Sequence, residues 1–348
     1  MKWIPLFLML VFAVACAPVA APTPTPMPAK VRFGYLVADL HHISHIVAQD
    51  KEAGGGLSFY EKYGLVVEDA RGAPYANGGV EMDHFAAGDV DIGMLGAPPA
   101  ITKHLNAGVN TVIVGQVNEI GSALVVAKNI NRFSDLIGKT IATPGHSSIQ
   151  FFLLLNYAQQ QGVDISRINV IDMPPKDMRA KLEAGDLGGF LVWEPFASEA
   201  VVAGFGKILA TSQDIWPNHL DCGVVVDRKF AQVNPAVVER FLQAHQASTA
   251  WVLSALARPE SKEYQRLVEL AVQFTGRDAA VVKEAFKLIR FKTEIDAGFA
   301  TSLTEYTNKL IQFKVVSPDK LTERGYKSAE EFAARYVDVS FQQKIKGK

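Results

Sequence analysis

The stretch Phe85-Ala86-Ala87-Gly88-Asp89-Val90-Asp91-Ile92-Gly93-Met94-Leu95-Gly96-Ala97-Pro98 aligns without a gap on Leu182-Glu183-Ala184-Gly185-Asp186-Leu187-Gly188-Gly189-Phe190-Leu191-Val192-Trp193-Glu194-Pro195. Ala87/Ala184, Gly88/Gly185, Asp89/Asp186 and Pro98/Pro195 coincide, each pair 97 residues apart. Each copy reads as a helix end with a glycine stop, a turn, a buried strand, and a proline that opens the next helix. Solenoid units repeat every ~20–50 residues, so a longer unit met only twice predicts two similar α/β lobes. Chance recurrence of an Ala-Gly-Asp turn is the competing explanation.

Outward from the repeat, short β-branched runs alternate with amphipathic stretches. Strands are expected at 31–36, 65–70, 90–95, 111–117, 123–127, 140–143, 169–173, 189–193, 208–211 and 223–226, and helices at 41–51, 79–86, 97–107, 147–161, 175–184 and 197–203. Beyond Pro235 the pattern turns mostly helical. Alternation of this kind implies α/β layers with parallel strand pairing.

Composition bounds the function. With 35 Lys+Arg against 36 Asp+Glu in 348 residues, the chain lacks the basic excess of a nucleic-acid binder. Its 49% hydrophobic content excludes a disordered acidic chain. Two cysteines allow no disulfide framework and no Cys-x-x-Cys pair.

The first of them closes an N-terminal leader. Residues 1–15 carry Lys2 and then an apolar run; Trp3 to Ala15 is 13 residues, short of the ~20 needed to span a bilayer. The run ends Ala13-Val14-Ala15-Cys16, similar to a bacterial lipobox, which predicts a lipoprotein signal peptide over 1–15 and lipidation at Cys16. Pro18, Pro22, Pro24, Pro26 and Pro28 then favour extended polyproline conformation, a semi-rigid stalk over 16–29. Ordinary secretion without an anchor explains neither feature. The second cysteine, Cys222, precedes an apolar run and reads as a small buried hydrophobe.

In open α/β sheets ligands sit beyond the carboxyl ends of the strands, facing helix N-termini. Those positions hold Asp39, His41 and His42; Gly96 and Ala97; Asn118, Glu119 and Ser122; His146 and Ser147; and Trp193 and Glu194. Ser147 serves as a helix cap, and ligand contact is a second role for it. Trp193 is either a stacking platform or core. Asp39 and Glu119 either accept hydrogen bonds from a ligand or cap helices and close the hinge. His41 and His45 share a helical face, but no third ligand lies nearby in sequence, so no metal site is expected. No Gly-x-Ser-x-Gly elbow and no Walker-type loop occurs.

Gly34-Tyr35-Leu36 through Asp39-Leu40-His41-His42, Glu61-Lys62-Tyr63-Gly64-Leu65-Val66-Val67, Ala87-Gly88-Asp89-Val90-Asp91-Ile92-Gly93, Gly138-Lys139-Thr140-Ile141-Ala142 and Trp193-Glu194-Pro195 together resemble the nitrate/sulfonate/taurine/thiamine-pyrimidine group of solute-binding lipoproteins of ABC importers. The resemblance runs well from Lys30 to Val226 and loosely beyond. It implies a type II periplasmic-binding-protein fold, with lobe 1 from 30–118 plus 222–348 and lobe 2 from 119–221. The hinge would fall near Asn118–Ser122 and Asn218–Cys222. It further implies a protein held by its lipid anchor on the extracytoplasmic face of the cell membrane, with a permease and an ATPase as partners, no nucleic acid and no cofactor. With no Lys or Arg in the cleft loops, Tyr35, Tyr75 and Trp193 beside Asp39, His42, Asn118 and Glu119 suit a flat heterocycle. That pattern is similar to the riboflavin-binding lipoproteins, ahead of a thiamine-type pyrimidine or an alkanesulfonate such as taurine. Fungal pyrimidine-synthesising enzymes share the scaffold, but their cysteine-rich iron-binding motif is missing from this sequence, so an enzyme is not expected.

Overall fold

The structure is a computed structural model that describes residues 28–346. The leader, Cys16 and the stalk as far as residue 27 lie outside the described residues.

Twelve strands occur among the described residues: β1 (Ala29–Gly34), β2 (Leu65–Asp69), β3 (Ile92–Gly96), β4 (Thr111–Gln116), β5 (Asn118–Glu119), β6 (Ser122–Val126), β7 (Thr140–Thr143), β8 (Asn169–Asp172), β9 (Gly189–Trp193), β10 (Lys207–Thr211), β11 (Cys222–Asp227) and β12 (Arg290–Phe291). All ten strands expected from the sequence are among them, within two residues at each end. Ala29, assigned to the stalk from sequence, already belongs to β1. The two-residue strands β5 and β12, which pair with each other, carry too little pattern to be read.

One sheet runs β2-β1-β3-β11-β4 and the other β8-β7-β9-β6-β10, the same plan twice. Three strands of each are parallel. The remaining two are joined through antiparallel pairing, which the sequence reading did not foresee. The reason lies in the crossings. β6 starts with Ser122 opposite Trp193, at the carboxyl end of β9, and β11 starts with Cys222 opposite Gly96, at the carboxyl end of β3. A strand that enters a sheet from the cleft end has to run away from it, hence antiparallel.

The repeat is structural as well. Helices Gly78–Ala86 and Pro175–Glu183 lie 97 residues apart, as do β3 and β9. Gly88 (φ 74°) and Gly185 (φ 79°) both take the left-handed conformation that ends each helix.

Alternate residues Val31, Phe33 and Tyr35 of the β1 region face one core, with Val238, Phe241 and Leu242 of helix Pro235–Leu256 packed on them. Each such fully buried side chain contributes about 1.5–3 kcal/mol. The C-terminal helices also reach the second lobe, where Arg277 pairs with Glu199 at 2.7 Å. The Tyr306 hydroxyl donates to the Leu220 carbonyl at 2.8 Å, on the returning crossover.

Candidate functional site

A cleft of about 590 Å³ opens between the two sheets. Its walls are helix beginnings from both repeats. Helix Gly78–Ala86 is capped by Asn77, whose side chain accepts from the Val80 N–H at 3.0 Å. Helix Ile149–Gln160 is capped not by Ser147, as the sequence suggested, but by Ser148, which accepts from Phe151 N–H at 3.2 Å. The amides of Gly78, Gly79, Ile149 and Gln150 fall in first turns, where no intrahelical acceptor exists. The two helix starts face one another: a Cβ on Gly79 would lie 3.7 Å from Ser147 Oγ, and one on Gly96 would lie 2.9 Å from Ile149 Cδ1. Glycine at 96 thus lets the opposite wall approach. Helix Ala97–Ala107 offers fewer donors, since Ala97 N–H is spent on Asp221 C=O at 3.1 Å and Pro98 and Pro99 have no N–H.

Asp39, Gly96, His146, Ser147 and Trp193, all expected from sequence, line this cleft. Trp193 is 3% exposed, and its buried indole N–H has no hydrogen-bond partner. His146 Nδ1 lies 2.5 Å from Asp172 Oδ1 at the rim, with both side chains about half exposed.

Eight expected residues sit elsewhere. Tyr35 is on the core parity of β1, packed at 4.9 Å on His45, with its hydroxyl donating to Asp69 at 3.3 Å. Tyr75 stacks against His84 at 4.6 Å and donates to Arg71 C=O. Glu119 is held by Lys292 at 2.5 Å and Arg290 at 3.3 Å, where β5 pairs with β12. Asn118 accepts from Cys222 N–H at 3.2 Å and donates to Ile120 C=O at 2.7 Å, tying the two crossing segments together. Ser122 accepts from Gln150 Nε2 at 2.9 Å and so stands behind a wall residue. Ala97 packs under the wall with no exposed surface. Glu194 is fully buried, accepts from Ser198 N–H, and burial pushes its carboxyl up to about 8. His42 is buried with Nδ1 accepting from Leu36 N–H at 3.2 Å.

Sequence reasoning also passed over residues that line the cleft. Asn77-Gly78-Gly79 carried a legible signal, a capping asparagine before two glycines and a helical run. Asp221 and Cys222 carried none, since only the β11 crossover brings them to Asp39 and His41. Cys222 is buried, as expected of a small hydrophobe, yet its sulfur lies 3.6 Å from Asp221 Oδ1 and 3.9 Å from His41 Nδ1. Burial raises the Cys222 thiol well above its ordinary range and lifts Asp221 to about 6.

Two lobes of like topology around one cleft define the architecture of the periplasmic solute-binding proteins. The alkanesulfonate-binding protein SsuA from Xanthomonas axonopodis pv. citri, bound to MOPS, superposes with a TM-score of 0.72 at 17% identity, over 90% of this chain and 99% of that one. The nitrate-binding protein NrtA from Synechocystis PCC 6803 gives 0.71 at 16% identity, over 92% and 88%. In sequence, residues 24–265 match the NMT1-like family, and the chain belongs to it. The taurine-binding periplasmic protein of Escherichia coli (strain K12) is 30% identical over 163 residues, 46% of this chain. The chain spans half the length of that relative.

Proposed function

We propose that this chain is the solute-binding component of an ABC importer and that its ligand is a small organic oxyanion of the sulfonate class. The observation that carries the reading is the pair of helix N-termini, at Asn77–Gly79 and Ser147–Gln150, that face each other across the cleft from opposite lobes. Oriented first-turn amides hold about half a positive charge per helix and bind oxyanions without a cationic side chain. The lack of Lys and Arg among the described lining residues therefore does not exclude an anion. The E. coli taurine-binding relative supports the same class. Contacts made to both lobes at once stabilise the closed form, which is what a permease would recognise.

The reading takes 30–118 plus 222–348 as lobe 1 and 119–221 as lobe 2, with a permease and an ATPase as partners and no chemical turnover. Cys16 supplies a lipid anchor on the extracytoplasmic face. Among the described residues no helix is long and apolar enough to cross a membrane. A heterocycle such as riboflavin is the second reading, and Trp193 on the cleft wall is what favours it. Two of the three aromatics that suggested it, Tyr35 and Tyr75, point into the core instead.

Titration calorimetry of the protein with taurine, ethanesulfonate, nitrate and riboflavin tests the choice. Stoichiometric binding of a sulfonate is the expected result. Binding of riboflavin with no response to any sulfonate or nitrate overturns the oxyanion reading in favour of the second.

A further inference from the structure

The floor of the cleft holds a cluster that a solute-binding role does not use. His41, Asp39, Asp221 and Cys222 are each no more than 2% exposed. They come from two places far apart in sequence, the turn after β1 and the start of β11. We propose that three of them form a binding site for a divalent transition-metal cation of the zinc class, with His41 Nδ1, an Asp221 oxygen and the Cys222 sulfur as ligands and the fourth position left for a water or solute atom.

The tautomer of His41 is fixed by its surroundings. Its Nε2–H donates to the Gly121 carbonyl at 2.9 Å, which leaves Nδ1 as the nitrogen able to bind a metal ion once deprotonated. Gly121 makes this possible: it sits at φ 132°, and a Cβ there would lie 2.2 Å from Nε2. A ring held by a backbone carbonyl on one nitrogen, with the other left bare, is the usual arrangement of a metal-ligating histidine. The bare nitrogen faces Asp39 Oδ1 at 3.3 Å, Asp221 Oδ1 at 3.9 Å and Cys222 Sγ at 3.9 Å, and the sulfur lies 3.6 Å from the same Asp221 oxygen. Asp221 Oδ2 is buried and has no partner.

Size decides between cations. The three separations among His41 Nδ1, Asp221 Oδ1 and Cys222 Sγ, 3.6–3.9 Å, are those of one face of a tetrahedron whose centre lies about 2.2–2.4 Å from each corner, close to zinc–nitrogen, zinc–oxygen and zinc–sulfur bonds. An ammonium group needs about 2.7–2.9 Å to each acceptor and does not fit between these atoms. The mixed imidazole, carboxylate and thiolate set suits zinc or cobalt and not magnesium or calcium, which take oxygen ligands. The Asp221 carboxylate and the Cys222 thiolate together balance the charge of a divalent ion, and its binding would release any proton they hold.

His42 stands close by but is not a ligand. Its Nδ1 accepts from Leu36 N–H, so its hydrogen is on Nε2, 3.9 Å from Asp39 Oδ2. That Nε2 has no hydrogen-bond partner, so His42 is held through its Nδ1 alone. The grouping of His41, Asp221 and Cys222 is thus the one with lone pairs to offer, in preference to the neighbouring Asp39, His42 and Cys222.

The proposal does not rest on the identity of the solute. Its test is cobalt titration of the full-length chain, stripped with chelator and then freed of it. One equivalent of Co2+ is expected to give intense tetrahedral d–d bands and a near-ultraviolet sulfur-to-cobalt charge-transfer band, both bleached by Zn2+. Cys222→Ser should remove the charge-transfer band and keep the d–d bands. His41→Gln and Asp221→Asn should weaken cobalt affinity about 100-fold, and His42→Gln about tenfold, as an outer-shell change does. Absence of tetrahedral bands in the wild-type protein, or a charge-transfer band that survives Cys222→Ser, overturns the proposal. So does a cobalt affinity lost with His42→Gln but kept with His41→Gln. Circular dichroism of each variant identifies any that fails to fold. Calorimetry with taurine on the metal-free protein separates the two readings: sulfonate binding without cobalt bands defeats only the metal site, and cobalt bands without sulfonate binding defeat only the oxyanion reading.

Discussion

Replacing Glu81 with methionine should stabilise the protein, and by an amount that grows with pH. Glu81 lies in helix Gly78–Ala86 with no exposed surface, and neither carboxylate oxygen has a partner. Its head fills a groove left by two glycines: a Cβ on Gly93 would lie 2.1 Å from Oε1, and one on Gly34 2.6 Å from it. Burial, with Asp39 adding to it, raises the Glu81 carboxyl well above its ordinary range. The native state therefore keeps a proton that the unfolded chain releases above pH ~4.5. Stability from this group is complete below that pH and is lost at about 1.4 kcal/mol per pH unit until the native carboxyl itself ionises. Below pH ~4.5 there remains only the cost of unmade hydrogen bonds, about 1–3 kcal/mol. The repeat supplies the replacement, since position 178, which is 97 residues on, holds a fully buried methionine. Urea unfolding of wild type and Glu81→Met at pH 5, 6, 7 and 8, in buffer with chelator, measures the difference. It should widen as pH rises, by at most about 1.4 kcal/mol for each unit, and level off where the native carboxyl ionises. Parallel pH profiles, or a variant less stable than wild type at pH 7, would refute the argument.

Gly96→Val would place a branched side chain where a Cβ alone meets Ile149 Cδ1 at 2.9 Å. Overpacking of this kind costs about 1–3 kcal/mol, so calorimetry should show sulfonate affinity about 5- to 150-fold weaker, with the unliganded fold intact by circular dichroism. Asn77→Ala removes the cap of helix Gly78–Ala86; thermal unfolding should show a loss of about 1 kcal/mol, accompanied by weaker oxyanion binding. Cys16→Ala should abolish incorporation of radiolabelled palmitate and release the protein from the membrane fraction, whereas an unchanged label would remove the anchor from the reading.

The fold was largely legible because its main signals are local. A glycine stop, an apolar run and a proline, repeated at one spacing, mark both sheets, and β-branched runs mark ten of the strands. The antiparallel members were not legible, since direction depends on which end of a sheet the chain enters. The site was half legible. Gly96, His146, Ser147 and Trp193 follow from the rule that ligands meet strand ends and helix starts. Tyr35 illustrates the limit: it shares the parity of Val31 and Phe33, and β1 alternation would have sent it to the core, had parity been weighed above residue type. Cys222 could be judged only against its sequence neighbours, which are apolar; the groups that give it chemical meaning, His41 and Asp221, meet it through a crossover that no local pattern encodes.

The exchange of strands between sheets also dictates an order of assembly. β4 has a single partner in its sheet, β11, which emerges more than a hundred residues later, and β3 lacks a neighbour on one side until then. The second sheet, by contrast, has all five strands once residue 211 is made. The sheet that begins the chain is therefore the later of the two to be completed: it is unable to close until the chain has passed residue 227, after the inserted sheet already has every strand.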